Sequence, residues 1–224
     1  MCFSATGSFA AAGVLAGIGT TSLSRNRSTR LQMFAAIPLL FAVQQAAEGV
    51  VWLTIDQADS VGLQSMAVTT FLGFALVIWP TWLPLSLLRI EDRQVRQRTL
   101  TALCLAGFVV SVYAAILLLR WHPKAQVAGH SIRYLYSAGP SALPPGFYLA
   151  AYALPTVAPF FASSASLARV TGLALIGSLI TAAVVERDAL TSVWCFFAAL
   201  LSGLVLMAVM REQRVALNAV KAIT

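Results

Sequence analysis

The stretch TLTALCLAGFVVSVYAAILLL, residues 99–119, contains no charged residue and is long enough to cross a membrane as a helix. About 20 mostly apolar residues span the core of a bilayer, because an α-helix rises about 1.5 Å per residue. Similar apolar stretches lie on both sides of it along the chain. The sequence predicts seven spans in all, at about residues 6–24, 31–54, 66–88, 99–119, 147–164, 170–186 and 190–210.

The composition also indicates an integral membrane protein. Of the 224 residues, 59% are hydrophobic and only 10% are charged, whereas soluble domains carry about 25% charged residues. So few polar groups could not cover the surface of a globule in water. A soluble globule, a disordered chain and a collagen-like rod are therefore excluded. Because the spans leave only short connections, we expect an all-α bundle of seven transmembrane helices, one domain over residues 1–224.

Basic residues predict the orientation of this bundle. Lys and Arg number 15 against 8 Asp and Glu, which gives a net charge of +7. Most of the basic residues follow the odd-numbered spans, and basic residues in short loops stay in the cytoplasm. We therefore expect an outer N-terminus and a cytoplasmic C-terminus. The residues on the cytoplasmic side would be Arg25, Arg27, Arg30, Arg89, Arg93, Arg96, Arg98, Arg169, Arg211, Arg214 and Lys221.

This orientation accounts for the positive charge without nucleic acid, so the expected partner is the lipid bilayer. We expect no cleaved signal peptide, because the basic residues follow the first apolar stretch instead of preceding it. Gly13 and Gly17 form a small-xxx-small pair, which favours close helix packing or a homo-oligomer through that face. Retinal is excluded as a cofactor, because Lys124 and Lys221 are the only lysines and both lie outside the spans.

Most residues capable of chemistry fall near the outer ends of the predicted spans. Glu48 is the only carboxylate well inside a span, and such a group faces the bundle interior and needs a partner. Two interpretations are open: a ligand site, or a hydrogen-bonded contact that only joins helices. The predicted outward-facing polar pocket consists of Cys2, Gln44, Gln45, Glu48, His130, Arg133, Glu186 and Cys195.

The cysteines allow several interpretations. Cys2 and Cys195 could form a disulfide, pack as small apolar side chains, or ligate zinc or copper together with Glu48 and His130. No closely spaced Cys or His pair favours the metal over the other two. Cys104, near the inner end of span four, has no evident partner and is expected to pack in the interior.

We expect the pocket to bind a metal ion or a small ligand, and two other functions are open. In an enzyme, the Cys2 thiolate would be the nucleophile, with His130 as the base and Arg133 stabilising negative charge. Otherwise the chain would be an accessory subunit or transporter within a larger membrane complex.

Two further local features bear on the fold. Prolines within the spans predict kinks that free backbone carbonyls for other partners; they are Pro38, Pro80, Pro84, Pro155 and Pro159. The segment HSIRYLY, residues 130–136, alternates enough to predict a short strand or an interfacial segment laid over the bundle.

Four blocks of sequence together carry a family resemblance. They are MCFSATGSF at the start, PLLFAVQQAAEGVVWL at residues 38–53, GHSIRY at residues 129–134 and SVWCFFAALLS at residues 192–202. In this combination the chain resembles an uncharacterised family of bacterial seven-span membrane proteins that begin Met-Cys-Phe-Ser. The resemblance implies seven spans and a location in the bacterial inner membrane, but no activity.

Overall fold

The computed structural model describes residues 4–55, 57–129, 131–135, 145–165, 167–185 and 202–221. A β-hairpin, formed by β1 (Lys124–Ala128) and β2 (Ser131–Leu135), interrupts an otherwise mostly helical chain. The α-helices are α1 (Ala5–Arg25), α2 (Gln32–Ala35), α3 (Ile37–Thr54), α4 (Val61–Leu72), α5 (Trp79–Leu88), α6 (Gln94–Trp121), α7 (Pro145–Ala162), α8 (Ala168–Val185) and α9 (Ser202–Lys221).

Three helical stretches within the described residues are long and apolar enough to cross a membrane. They are Gln32–Thr54, which joins α2 and α3, Val61–Leu88, which joins α4 and α5, and Gln94–Trp121. The apolar helices Phe147–Ala162 and Ala168–Thr181 are shorter. The prediction of a helical protein able to span a membrane is thus confirmed, while seven spans and the orientation of the termini remain predictions.

Helix α6 leaves a row of large apolar side chains uncovered. Only 22% of the most apolar 18-residue segment of this helix is buried. An exposed apolar surface of this size is unfavourable in water. Such a row of apolar side chains is suited to contact with lipid chains. The exposed residues recur every three or four positions on the helix, and they are Leu105, Phe108, Val109, Val112, Ile116 and Leu119.

Helices α1 and α3 pack closely in antiparallel directions. A Cβ atom on Gly19 would lie 2.7 Å from the backbone nitrogen of Leu39, and one on Gly49 would lie 2.8 Å from the ring of Phe9. The absence of a side chain at Gly19 and at Gly49 therefore permits this close contact. The predicted close-packing face at Gly13 and Gly17 is not used in this contact, because a Cβ on either would meet nothing within 4 Å among the described residues. That face is exposed, and its role in a homo-oligomer stays a prediction.

Between α4 and α5 the chain forms a π-helical segment, Gly73–Ile78. Pro80 explains part of this irregularity, since it lacks an N–H and its ring crowds the carbonyl four residues earlier. Two carbonyls of the segment accept hydrogen bonds from other helices, Ala75 from the Tyr152 hydroxyl at 2.5 Å and Val77 from the Ser111 hydroxyl at 2.6 Å. A kink was predicted here from Pro80. Pro38, by contrast, lies in the first turn of α3, where proline is compatible with the helix.

One end of the bundle brings together several loops, and we call it the arginine-rich end; it comprises residues 25–31, 89–96, 163–165, 167–169 and 211–214. Arg30 forms an ion pair with Asp92 at 2.7 Å and donates to the carbonyl of Arg89. The side chain of Gln213 reaches Asn26 at 3.4 Å. Loops that the sequence predicts to lie on one side of a membrane therefore meet at one end of the described structure.

Glu91 joins two loops at the arginine-rich end. Its side chain is 1% exposed. One carboxylate oxygen accepts from the backbone N–H of Ser164 at 2.6 Å, and the other accepts from the Ser164 hydroxyl and the backbone N–H of Arg93. Burial alone raises the pKa of this carboxyl, but the bonds from Ser164 and Arg93 and the charge of Arg96 lower it below its ordinary value.

The β-hairpin packs near the opposite end. Ile132 is fully buried beside Val51 of α3 and Leu118 of α6, and the ring of Tyr134 stacks on Phe71 at 5.1 Å. Of the two alternatives predicted for residues 130–136, a short strand or an interfacial segment, the structure shows a strand at Ser131–Leu135. Its partner β1, which pairs antiparallel with it, was not predicted.

Candidate functional site

Half of the predicted pocket lies outside the described residues. Cys2, His130, Glu186 and Cys195 belong to that half, so their disulfide, metal and nucleophile assignments stay predictions. The other half consists of Gln44, Gln45, Glu48 and Arg133. Cys104 is a free cysteine of intermediate exposure, so the expectation that it packs in the interior is met only in part.

Three polar side chains of α3 form a cluster with no exposed surface. Gln44, Gln45 and Glu48 are each 0% exposed. Their spacing of three and four residues places them on neighbouring positions of the helix surface. The amide nitrogen Nε2 of Gln45 donates to Oε2 of Glu48 at 3.3 Å. We call these residues, together with Trp79 described below, the α3 polar cluster.

Trp79 is a member that the sequence did not predict. It is the first residue of α5, and its indole N–H donates to Oε1 of Gln44 at 2.7 Å. Its ring stacks on Phe41 of α3, with centroids 4.1 Å apart. Because the indole is 2% exposed and stacked, the donor is held in place. A tryptophan within an apolar stretch gave no sign that it would meet a residue 35 positions earlier.

These hydrogen bonds determine which amide atom of each glutamine is left for another hydrogen bond. An indole N–H can only donate, so it takes the oxygen of Gln44 and leaves the amide nitrogen Nε2 as a donor. Gln45 uses its nitrogen for Glu48 and leaves Oε1 as an acceptor. Neither Gln44 Nε2 nor Gln45 Oε1 has a hydrogen-bond partner within the described part of the chain. Buried polar atoms nearly always have partners, so an unpaired donor and an unpaired acceptor in one buried cluster suit a polar ligand or water.

Ser8 of α1 adds a third unpaired buried polar atom near this level. It is 0% exposed, and its hydroxyl lacks a partner among the residues that the structure describes. Its neighbour Phe9 is the residue whose ring approaches Gly49, one position after Glu48. Helical spacing in the sequence could have indicated that Ser8 is buried, because Ser8, Ala12, Leu15 and Gly19 lie three or four residues apart on one face of α1.

The hairpin places Arg133 in a partly buried position. Arg133 pairs with Gln126 across the two strands and shares a strand face with Ser131, which is fully buried. Ile132, on the other face, contacts the cluster of apolar residues that includes Ala47 and Val51. The structure thus unites Gln44, Gln45 and Glu48, and it sets Arg133 on the hairpin that packs against the same part of α3.

The described residues alone do not form a metal site. No group of three or more His, Cys, Asp or Glu side chains comes together among them. Of the four predicted metal ligands, Glu48 is the one whose position is described. A metal would need Cys2, His130 or Cys195, so the zinc or copper site stays a prediction.

Comparison with known families gives one result. A family model described as a family of unknown function, DUF6629, matches residues 1–221. The chain belongs to DUF6629. The match covers nearly the whole sequence, in line with the resemblance to an uncharacterised family inferred from the four sequence blocks. No curated protein and no solved structure matches this DUF6629 member.

Proposed function

We propose that this DUF6629 protein is a multi-pass membrane protein that binds a small polar ligand or a metal ion at the α3 polar cluster. The observation that supports the proposal is a fully buried carboxylate beside an unpaired amide donor and an unpaired amide acceptor, Gln44 Nε2 and Gln45 Oε1. Ionisable groups at membrane depth are costly, and they occur mainly where function requires them.

The proposal includes the membrane topology. Seven spans, an outer N-terminus and a cytoplasmic C-terminus would place the arginine-rich end in the cytoplasm, in a bacterial inner membrane. The contacts of Arg30 with Asp92 and of Gln213 with Asn26 support one shared side for these loops. The hairpin would then lie on the outer side, close to the α3 polar cluster.

Within this proposal, a small polar ligand accounts for the described contacts better than a metal does. A metal needs several anionic or imidazole donors, whereas the amide groups of Gln44 and Gln45 offer one donor and one acceptor. A ligand with its own donor and acceptor, such as an amide or a hydroxylated molecule, would complete both hydrogen bonds. Glu48 would select against a negative charge close to its own carboxylate.

The test is to identify what the purified protein carries. Protein extracted in mild detergent, without chelators, is analysed by elemental mass spectrometry for zinc and copper, and molecules released on denaturation are identified by mass spectrometry. The variants are Gln44→Leu and Glu48→Gln, and Gln64→Leu on α4 is the matched control, because Gln64 bonds only to the Thr54 carbonyl among the described residues.

The two kinds of ligand give different results. An organic molecule present in the wild type and in Gln64→Leu, but lost in Gln44→Leu, supports the small ligand. Near-stoichiometric metal that Cys2→Ala or His130→Ala abolishes supports the metal. If the wild type releases neither, or if the cluster variants retain all that it binds, the α3 polar cluster only joins helices and the proposal is wrong.

A further inference from the structure

A cavity of about 320 Å³ lies at the arginine-rich end, away from the α3 polar cluster. It opens between the start of α6, the loop after α7 and the start of α8. Three arginines and two serines supply its polar lining, and the remaining lining is apolar. The polar residues are Arg93, Arg96, Ser163, Ser164 and Arg169.

The three arginines are available to a ligand. Within the described part of the chain, the side chains of Arg93, Arg96 and Arg169 form no hydrogen bond and no ion pair. Glu91 lies nearby and feels the charge of Arg96, but its own oxygens are occupied by Ser164 and the backbone of Arg93. One carboxylate against three guanidinium groups leaves the cavity with an excess of positive charge.

Two helix starts add to this positive potential. Arg93 is the N-cap of α6, a helix of 28 residues, and Arg169 lies in the first turn of α8, which has 18 residues. Neither first turn contains an acidic residue. Acidic side chains normally favour the positive end of the helix dipole, and basic ones are unfavourable there. An anion in the cavity would offset both the dipoles and the arginines.

Ser163 provides a buried donor in the same place. It is 2% exposed, and its oxygen accepts from the backbone N–H of Ala165 at 3.1 Å. No acceptor for its hydroxyl proton is found among the residues that the structure describes. A hydroxyl donor next to forked guanidinium groups is the combination that binds phosphate oxygens.

We propose that this cavity binds a phosphate group through Arg93, Arg96, Arg169 and Ser163. Its position at the ends of two apolar helices, with Leu167 and Val170 in the lining, suits the headgroup of an anionic phospholipid as well as a free phosphate. The shared chemistry is a phosphate anion held by guanidinium groups and a hydroxyl. This site is independent of the α3 polar cluster.

The test compares the double variant Arg96→Gln/Arg169→Gln with Arg98→Gln. Arg98 is an exposed arginine of the same helix that does not line the cavity. One arm titrates inorganic phosphate into full-length protein in detergent at constant ionic strength and follows the melting temperature. The other counts phosphatidylglycerol against phosphatidylcholine retained in native mass spectrometry.

We expect the double variant to bind the probe at least about tenfold more weakly than the wild type, because two charge-assisted contacts are lost. The control Arg98→Gln should stay within about twofold, since it removes an exposed, salt-screened charge that does not line the cavity. Binding of phosphatidylglycerol alone identifies a lipid headgroup, and binding of inorganic phosphate identifies a free anion. If the double variant does not fold, Arg96→Gln and Arg169→Gln are tested singly, and each should lose less binding affinity than is expected for the double variant.

Two results would overturn the proposal. One is a wild-type protein that binds neither inorganic phosphate nor phosphatidylglycerol above the phosphatidylcholine level. The other is a loss of binding in Arg98→Gln as large as in the double variant, which would indicate a general effect of surface charge instead of a site.

Discussion

At the scale of single residues, the indole of Trp79 holds the orientation of Gln44. Trp79→Phe keeps the stacked ring and removes the N–H, which leaves the buried oxygen of Gln44 without its donor. We expect a loss of about 1–3 kcal/mol in the free energy of unfolding, the usual cost of an unsatisfied buried acceptor. Thermal or denaturant unfolding in detergent measures it.

Trp82→Phe is the matched control for this prediction. Trp82 is only partly buried, and its N–H donates to the backbone carbonyl of Met33, which water can reach more easily. The control should therefore cost less than Trp79→Phe. Equal losses in the two variants would contradict a special role for the bond to Gln44.

Glu91 gives a prediction about pH. Its pKa in the folded protein is below the ordinary value of 4.5. The carboxylate therefore stabilises the fold at pH above the ordinary pKa, and this contribution is lost as the pH falls through the lowered pKa. Glu91→Gln should unfold more easily than the wild type at neutral pH, by about 1–3 kcal/mol.

The difference between wild type and Glu91→Gln should shrink as the pH falls from the ordinary pKa of 4.5 through the lowered pKa of the folded protein, because the wild-type carboxylate becomes protonated there. Melting temperatures of both proteins from pH 3 to pH 7 measure this. Asp92→Asn serves as the control, because Asp92 is 80% exposed and its ion pair with Arg30 contributes little. A difference independent of pH would rule out the charge as the cause.

At the scale of helices, the contact between α5 and α6 depends on Gly107. A Cβ atom there would lie 1.9 Å from the carbonyl oxygen of Pro80. That oxygen belongs to the backbone and cannot move without shifting α5, so Gly107→Ala should destabilise the protein by roughly 1–3 kcal/mol or more. Gly177→Ala on α8, whose Cβ would meet nothing within 4 Å among the described residues, is the control and should be neutral or slightly stabilising.

Some helix limits could be predicted closely from the sequence and others could not, since α4 and α6 begin about five residues before the apolar stretches 66–88 and 99–119. The predicted spans 147–164 and 170–186 agree with α7 (Pro145–Ala162) and α8 (Ala168–Val185) within about two residues. Apolar stretches bounded by polar or charged residues determine such limits, and both signals are local. The π-helical segment Gly73–Ile78 was not predicted, because its carbonyls depend on Tyr152 and Ser111, which lie far away in the sequence.

The same reasoning explains which part of the site was predicted. The contact of Gln45 with Glu48 lies within one helical turn, so the sequence sufficed to place it. The bond from Trp79 to Gln44 depends on how two helices pack, and no periodicity encodes it. The arginines of the cavity were interpreted as signs of topology, since their convergence with Ser163 needs the loop after α7.

At the scale of the whole molecule, the two ends should lie on opposite sides of a membrane. In a chain whose native cysteines are replaced by serine, Thr29→Cys probes the arginine-rich end and Gln126→Cys probes the hairpin; both positions are exposed. In intact spheroplasts an impermeant maleimide should label Gln126→Cys and not Thr29→Cys. After permeabilisation it should label both. Labelling of Thr29→Cys alone in intact spheroplasts would indicate the opposite orientation to the one proposed.

The π-helical segment has a consequence for insertions and deletions. A π turn contains one residue more than an α turn, and each residue advances the helix by about 100°. All residues after Ile78 are therefore rotated relative to α4 by that extra step. Deleting one residue within Gly73–Ile78 would turn Trp79 away from Gln44 and Pro80 away from Gly107 in the same movement. The length of this short segment thus controls the α3 polar cluster and the fit of α6 together.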